Sequence, residues 1–416
     1  MSAEKFIVTE HWSPCQLIRE YPHAVKRDDA ELFLAVKEYR PRNTEPSKNA
    51  VTIIASHGNA FPKECYEAIW DEIIDAGKGF EVQSIWIAEY AHQGASYAKN
   101  AELLGDDPCW MDHSRDLLLM VNTFRGRMKP PFVGIGHSMG SAHIAYLALI
   151  HPRLFHSVIL IDPVILDAHP PGPNAAMFSS LRREMWTSRE KANVSFKKHP
   201  LFQTFEPRIL EAYLKYGLKN LGGGSVTLTT PKAQEAWSFA RSNFHAVPED
   251  TTVEARNHER LLSPDFLPFE DASFETFARG DSAHILHMLP HLRPRTLYLF
   301  GRNSHINTAN QRNKLFGLTG TKRGGNGGAK DGGTELKVID KTSHFLCFEA
   351  PQRTAKEISK WLAKEVGRWT EESEFWARID TGKSKNDRKD LSDRWIEMVK
   401  KGAYVPRPKA RDVAKL

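Results

Sequence analysis

The chain has 416 residues, of which 41% are hydrophobic and 26% charged. Those fractions exclude a collagen, a coiled coil or a wholly disordered chain, and the length suits one large catalytic domain with an insertion. The net charge is +6, yet 13 Lys/Arg and 9 Asp/Glu fall in 367–416. The remainder is close to neutral and lacks the clustered positive charge interleaved with aromatics that nucleic-acid binding requires.

No apolar run reaches the roughly 18 residues of a membrane-spanning helix. The opening MSAEKFIVTE lacks the basic and apolar regions of a secretory signal. Cys15, Cys65, Cys109 and Cys347 lie far apart with no C-x-x-C pair. This spacing predicts neither a Cys-rich zinc site nor a disulfide framework, and it favours a reducing compartment.

In chain order, FIVTEHW, CQLIREY and ELFLAVKEYRP read as short extended segments within the first 45 residues. VTIIASHG (51–58) is an apolar run that ends at a glycine, the pattern of a buried strand. A helix over KECYEAIWDEIIDAG (63–77) follows, then a strand over VQSIWIAEY (82–90). WMDHSRDLLLMVNTFRGRM (110–128) has helical spacing, with Trp110, Leu117, Val121 and Phe124 able to share a face. FVGIGHS (132–138) is the next strand and runs into the helix SAHIAYLALIHPRLF (141–155). SVILIDPVIL (157–166) is a fourth buried strand.

This alternation predicts an α/β fold, a mostly parallel sheet with helices on both faces. The rhythm breaks over 166–290, which is helical and Pro-punctuated, and resumes at RTLYLFG (295–301) and ELKVID (335–340). The predicted layout is therefore a core of 1–165 and 291–367 interrupted by a cap over 166–290. A charged tail, 368–416, follows the last core helix, PQRTAKEISKWLAKEVGRW. A cap so placed covers the carboxyl ends of the strands, where open α/β sheets bind ligands. The glycine-rich stretch 320–333 has no G-K-[ST] ending and reads as a flexible surface loop rather than a phosphate cradle.

The sharpest motif is Gly136-His137-Ser138-Met139-Gly140, set between a predicted strand and a predicted helix. That strand–turn–helix context is what a nucleophile elbow requires, and it presents Ser138 at a helix N-terminus. A serine hydroxyl is a poor nucleophile at neutral pH and needs a base. In Ser-His-Asp sites built on such sheets the histidine comes last in the chain. Among 18 histidines, His344 alone follows the last predicted strand and precedes the last core helix.

The acid is expected after RTLYLFG, but Gly301-Arg302-Asn303-Ser304-His305 offers no carboxylate. Asp162, at the carboxyl end of SVILI, is the preferred candidate, with Asp167 and Asp340 as weaker rivals. An oxyanion hole needs two preorganised N–H donors. Met139, the residue after the serine, supplies one, and the Ser56-His57-Gly58-Asn59-Ala60 turn the other, with Asn59 preferred to Ala60.

The SHG, GHSMG, LIDP and SHF motifs, in that order, resemble the α/β-hydrolase family over 51–367. PKECYEAIWDE, CWMDHSRDLLLM, HPRLF and VTLTTPK are similar to a fungal subgroup of peroxisomal hydrolases from secondary-metabolite pathways, the acyl-CoA hydrolase of mycophenolic acid biosynthesis among them. The resemblance implies the α/β-hydrolase fold with an inserted helical cap. It also implies a triad acid at Asp162, an acyl ester or acyl-CoA substrate and a homodimer. Asn59-Ala60 and most of 170–290 depart from the subgroup, so the acyl group is not carried over.

Ala414-Lys415-Leu416 resembles the S-K-L address read by the peroxisomal import receptor. The expected function is a serine hydrolase of an acyl ester or thioester that needs no metal or redox cofactor. The competing readings are an acyltransferase or cyclase using the same residues, and a non-catalytic binder on the same fold. A halide or epoxide hydrolase is disfavoured because its nucleophile would be an aspartate at position 138. Lys322 and Arg323 stand in the glycine-rich loop, where a solvated role is favoured over contact with CoA phosphates.

Overall fold

The computed structural model describes residues 2–42, 45–167, 174–242, 277–380 and 389–402, with the isolated positions 253, 257 and 261. The tripeptide Ala414-Lys415-Leu416 and part of the expected cap lie outside the described residues. The chain divides into two units, Met1–Val366 and Gly367–Leu416.

The first unit is built on an eight-stranded sheet. Its strands are β1 (Phe6–Pro14), β2 (Phe33–Pro41), β3 (Val51–Ser56), β4 (Val82–Ala88), β5 (Phe132–His137) and β6 (Ser157–Ile161), and two later strands complete it. Between β6 and those two lie β7 (Met185–Trp186), β8 (Leu218–Asn220), β9 (Val226–Leu228), β10 (Arg241–Ser242) and β11 (Phe277–Ala278). β12 (Arg295–Gly301) and β13 (Thr334–Ile339) then close the sheet, in the order β1-β2-β4-β3-β5-β6-β12-β13. β1 and β2 are antiparallel, and β2 meets β4 antiparallel; all other neighbours are parallel.

The central strands are apolar throughout because both faces of a parallel sheet are covered. Consecutive residues point to opposite faces. Ile53, Ile85 and Ile159 join one core with Trp70, Ile358 and Trp361. Ile54, Trp86 and Leu160 join the other with Leu117, Ile144 and Leu315. The helix Met139–Ile150 is buried from Met139 through Ala148 and is accordingly apolar almost all round.

Two sequence expectations are corrected here. CQLIREY forms no strand, since β1 ends at Pro14 and the polar atoms that follow are claimed by the helix Trp110–Thr123. Gln16 N–H donates to Asp116 at 2.8 Å, and the Arg19 guanidinium grips the same carboxylate with two bonds of 2.8 Å. The glycine-rich loop is organised rather than loose. Asn326 ties it to the chain before β12, its N–H donating to Leu292 O at 3.0 Å and its side chain to Pro294 O at 2.9 Å.

The segment between β6 and β12 is not purely helical either. β7, β9 and β8 make a small antiparallel sheet, and β10 pairs with β11. Its far end is fixed to the core by Asp281, fully buried, whose carboxylate accepts from Trp110 N–H at 2.8 Å and from Arg279 at 3.0 Å. Its middle is fixed by Arg241, paired with Asp107 through two bonds of 2.7 Å.

In the second unit residues 367–380 are helical, and the helix Asp393–Lys400 is capped by Ser392. Among the described residues, no helix is long and apolar enough to cross a membrane.

Candidate active site

Ser138 occupies the turn between β5 and the helix Met139–Ile150, at φ 57° and ψ −124°. A non-glycine residue holds such a conformation only where its surroundings over-determine it. Here Ser138 N–H donates to Ile161 O at 2.9 Å, and Ser138 O accepts from Val164 N–H at 3.2 Å, which pins the turn to the end of β6. The flanking glycines are steric necessities. A Cβ on Gly136 would lie 2.4 Å from Gly140 O, and one on Gly140 would lie 2.2 Å from Ser56 O. The strand, turn and helix thus pack with no room for a side chain at position 136 or 140.

The structure brings Ser138, His344 and Asp162 together. His344 Nε2 lies 2.9 Å from Ser138 Oγ, and His344 Nδ1 lies 2.9 Å from Asp162 Oδ1. A carboxylate only accepts, so Nδ1 carries the proton and Nε2 is left to accept from the serine hydroxyl. Asp162 is fully buried and follows β6 at φ 40°. Besides His344 it accepts from Gly301 N–H at 3.0 Å, Ser304 O–H at 2.7 Å and Asn307 Nδ2 at 2.8 Å. The rivals face elsewhere: Asp340 pairs with Arg302 at 2.8 Å and Asp167 with Lys314.

Ser304 and Asn307 were not singled out from the sequence. They stand in the stretch after β12 that lacks a carboxylate. That position does not supply the acid; it supplies donors to the acid of the neighbouring strand. The only sequence signal was a run of short polar side chains after an apolar strand.

The turn after β3 lies directly against the serine, since a Cβ on Gly58 would fall 3.4 Å from Ser138 Cβ. Gly58 N–H donates to Tyr66 Oη at 2.7 Å, Tyr66 Oη lies 2.8 Å from His137 Nδ1, and His137 Nε2 lies 3.1 Å from His344 O. A carbonyl only accepts, so His137 Nε2 donates and Nδ1 accepts from Tyr66. This chain links the turn after β3, the elbow and the loop of His344 through a neutral ring. Burial pushes the His137 imidazole down to about 3, with His344 adding to the effect, so that ring stays uncharged.

Ala60, at φ 62°, has its N–H engaged by Gln93 Oε1 at 2.8 Å. Among the described residues, none accepts from Asn59 N–H. Met139 opens its helix and has no intrahelical acceptor for its N–H. Among the described residues, the Asn59 and Met139 amides thus stand without an acceptor beside Ser138, whereas the Ala60 amide is engaged.

Aromatic rings flank the site. Phe61, just beyond the turn after β3, lies 5.7 Å from the Phe345 ring that follows His344. Phe205 and Tyr213, from the segment between β6 and β12, lie 6.0 and 5.8 Å from Phe61. Glu206 N–H donates to Phe348 O at 2.8 Å, so that segment is stitched to the His344 loop.

Comparison with known proteins agrees with this architecture. The type I acyl-CoA thioesterase mpaH' of Penicillium brevicompactum is 33% identical over 96% of each chain. The abhydrolase domain-containing protein ACTT2-2 of Alternaria alternata is 26% identical over 65% of this chain and 98% of its own. Among solved structures, the peroxisomal alpha-beta-hydrolase Lpx1 of Saccharomyces cerevisiae superposes with a TM-score of 0.69 at 18% identity, covering 97% of this chain and 99% of its own. A model of the alpha/beta hydrolase family matches residues 53–357, and the chain belongs to that family.

Proposed function

We propose that the protein hydrolyses an acyl thioester, with acyl-CoA as the favoured substrate, through an acyl-enzyme on Ser138. The observation that carries this reading is the His344 imidazole, 2.9 Å from Ser138 Oγ on one side and 2.9 Å from Asp162 on the other. The thioester preference draws on the named activity of the Penicillium relatives, which match along 96% of the chain.

In this mechanism Ser138 Oγ attacks the thioester carbonyl while His344 Nε2 takes its proton. The charge that develops on the carbonyl oxygen meets the Asn59 and Met139 N–H groups. Asp162 holds the Nδ1–H tautomer and stabilises the imidazolium. As the C–S bond breaks, His344 returns the proton to the leaving thiolate. A water then attacks the acyl-enzyme with His344 as base, which releases the free acid and restores Ser138. The segment over 166–290 acts as the cap that shapes the acyl side of the pocket, supported by the approach of Phe205 and Tyr213 to Phe61.

Ser138→Ala is expected to lower acyl-CoA turnover by roughly 10⁴-fold or more, and a fluorophosphonate is expected to label the wild-type chain at Ser138 alone. Undiminished turnover in the variant would remove the mechanism. Product analysis separates hydrolysis, which yields free acid and thiol, from transfer to another acceptor. A peroxisomal location, read from Ala414-Lys415-Leu416, belongs to the same proposal. Fusing 400–416 to a fluorescent protein tests it, and a diffuse signal would count against it.

A further inference from the structure

We infer that Gln93 is a positioning residue of the oxyanion turn and that it ties this turn to the inserted helix Lys232–Phe239. The inference rests on the reading of Ser138 as nucleophile and of Asn59 N–H as oxyanion donor. Gln93 is 1% exposed and lies just before the helix Gly94–Asn100, far from the triad in sequence.

A primary amide offers one carbonyl acceptor and two N–H donors, and this one spends both kinds on the site. Gln93 Oε1 accepts the Ala60 N–H at 2.8 Å. Gln93 Nε2 donates to Asn59 Oδ1 at 2.6 Å and to Ser238 Oγ at 3.2 Å. The other end of the Asn59 side chain, Nδ2, donates to Glu235 O at 3.0 Å. Asn59 is thereby clamped between Gln93 on the core and Glu235 on the insert. Ser238 in turn lies 2.9 Å from His92 Nε2 and donates to Gln234 O at 2.8 Å.

The consequence falls on the backbone. Ala60 sits at φ 62°, a conformation that an alanine does not keep unaided. Gln93 compensates by taking the Ala60 amide out of use, and the clamp on the Asn59 side chain fixes the rotation of the peptide that precedes it. An oxyanion donor is effective only when it is already aimed before charge develops. Because one arm of the clamp is a backbone carbonyl of the inserted helix, the aim of that donor depends on the insert being seated. The insert thus acts on the chemistry as well as on the pocket.

The test uses the full chain with Gln93→Met, which keeps the length and removes both kinds of bond. Gln93→Glu is its companion, keeping the acceptor for Ala60 and losing the donor to Asn59. The readouts are kcat and KM for an acyl-CoA, and inhibition by a trifluoromethyl ketone thioether that forms an oxyanion adduct with Ser138. For Gln93→Met, kcat is expected to fall about 10–100-fold with KM within about threefold, and ketone affinity to fall by the same factor as kcat. Gln93→Glu is expected to fall between wild type and Gln93→Met in both. Unchanged kcat, or lost kcat with unchanged ketone affinity in a variant that melts like wild type, overturns the inference. If the ketone fails on wild type, or Ser138→Ala stays active, the catalytic reading itself falls.

Discussion

At the scale of the residue, the environment of Asp162 decides what it is for. Its carboxylate is removed from water and answered by four donors, His344 among them. Such a group is costly to bury unless it is hydrogen-bonded, and here both oxygens accept, Oδ1 from three donors and Oδ2 from Gly301 N–H. Asp162→Asn is expected to keep the fold and lower kcat by about 10⁴-fold, since an amide no longer selects the Nδ1–H tautomer. Ser304→Ala removes one donor and leaves the charge, so a loss nearer to 10-fold is expected, of the order of one charged hydrogen bond. Steady-state kinetics with an acyl-CoA reads both. Tyr66→Phe breaks the path from Gly58 to His137 and leaves two buried polar atoms unpaired, for about 1–3 kcal/mol of stability by denaturant titration. The placement of Ser138 and His344 was legible because each depends on a local pattern, an apolar strand followed by a turn. Ser304, Asn307 and Gln93 were not, because their value lies in reaching a partner far away in sequence.

At the scale of the element, the elbow is a packing solution as much as a chemical one. Gly140→Ala would drive a methyl to 2.2 Å from Ser56 O, a backbone atom that cannot move without displacing β3. That variant is expected to melt well below wild type and to lose fluorophosphonate labelling. β3, β5 and β6 were readable as strands since unbroken apolar runs have few alternatives in a chain of this composition. Their ends were not, because the exit residues 57–58, 138 and 162–166 continue the polar-to-apolar text while their backbone has already turned. The strands β7 to β11, two or three residues each, carry no periodicity to read. CQLIREY misled for a further reason: Arg19 is drawn inward by Asp112 and Asp116, contacts that no local rule anticipates.

At the scale of the whole molecule, acid should unfold this protein early. Burial lowers six imidazoles among the described residues: His57 to about 4, His92 and His137 to about 3, His113 and His143 well below the usual range, and His305 in the same direction. Each binds a proton more readily in the unfolded chain. Their contribution is therefore present above about pH 6.5 and lost as pH falls towards the folded values. Asp112 works in the opposite direction, pushed up to about 6 by burial, so its contribution is present at low pH and lost as pH rises through 6. Burial raises Glu67 and Glu89 in the same direction as Asp112; at about 1.4 kcal/mol per unit for each group, six lowered histidines outweigh these three carboxylates. The melting temperature is expected to drop steeply between about pH 6.5 and about pH 4, and Asp112→Asn to make that drop steeper.

The tethering of the insert on both sides of positions 243–276 bears on topology too. Arg241 holds one side to Asp107, Asp281 holds the other to Trp110, and β10 pairs with β11 between them. Severing the polypeptide between Ser242 and Phe277 would leave each half gripped by the same scaffold. Two fragments split there should reassemble into a working whole.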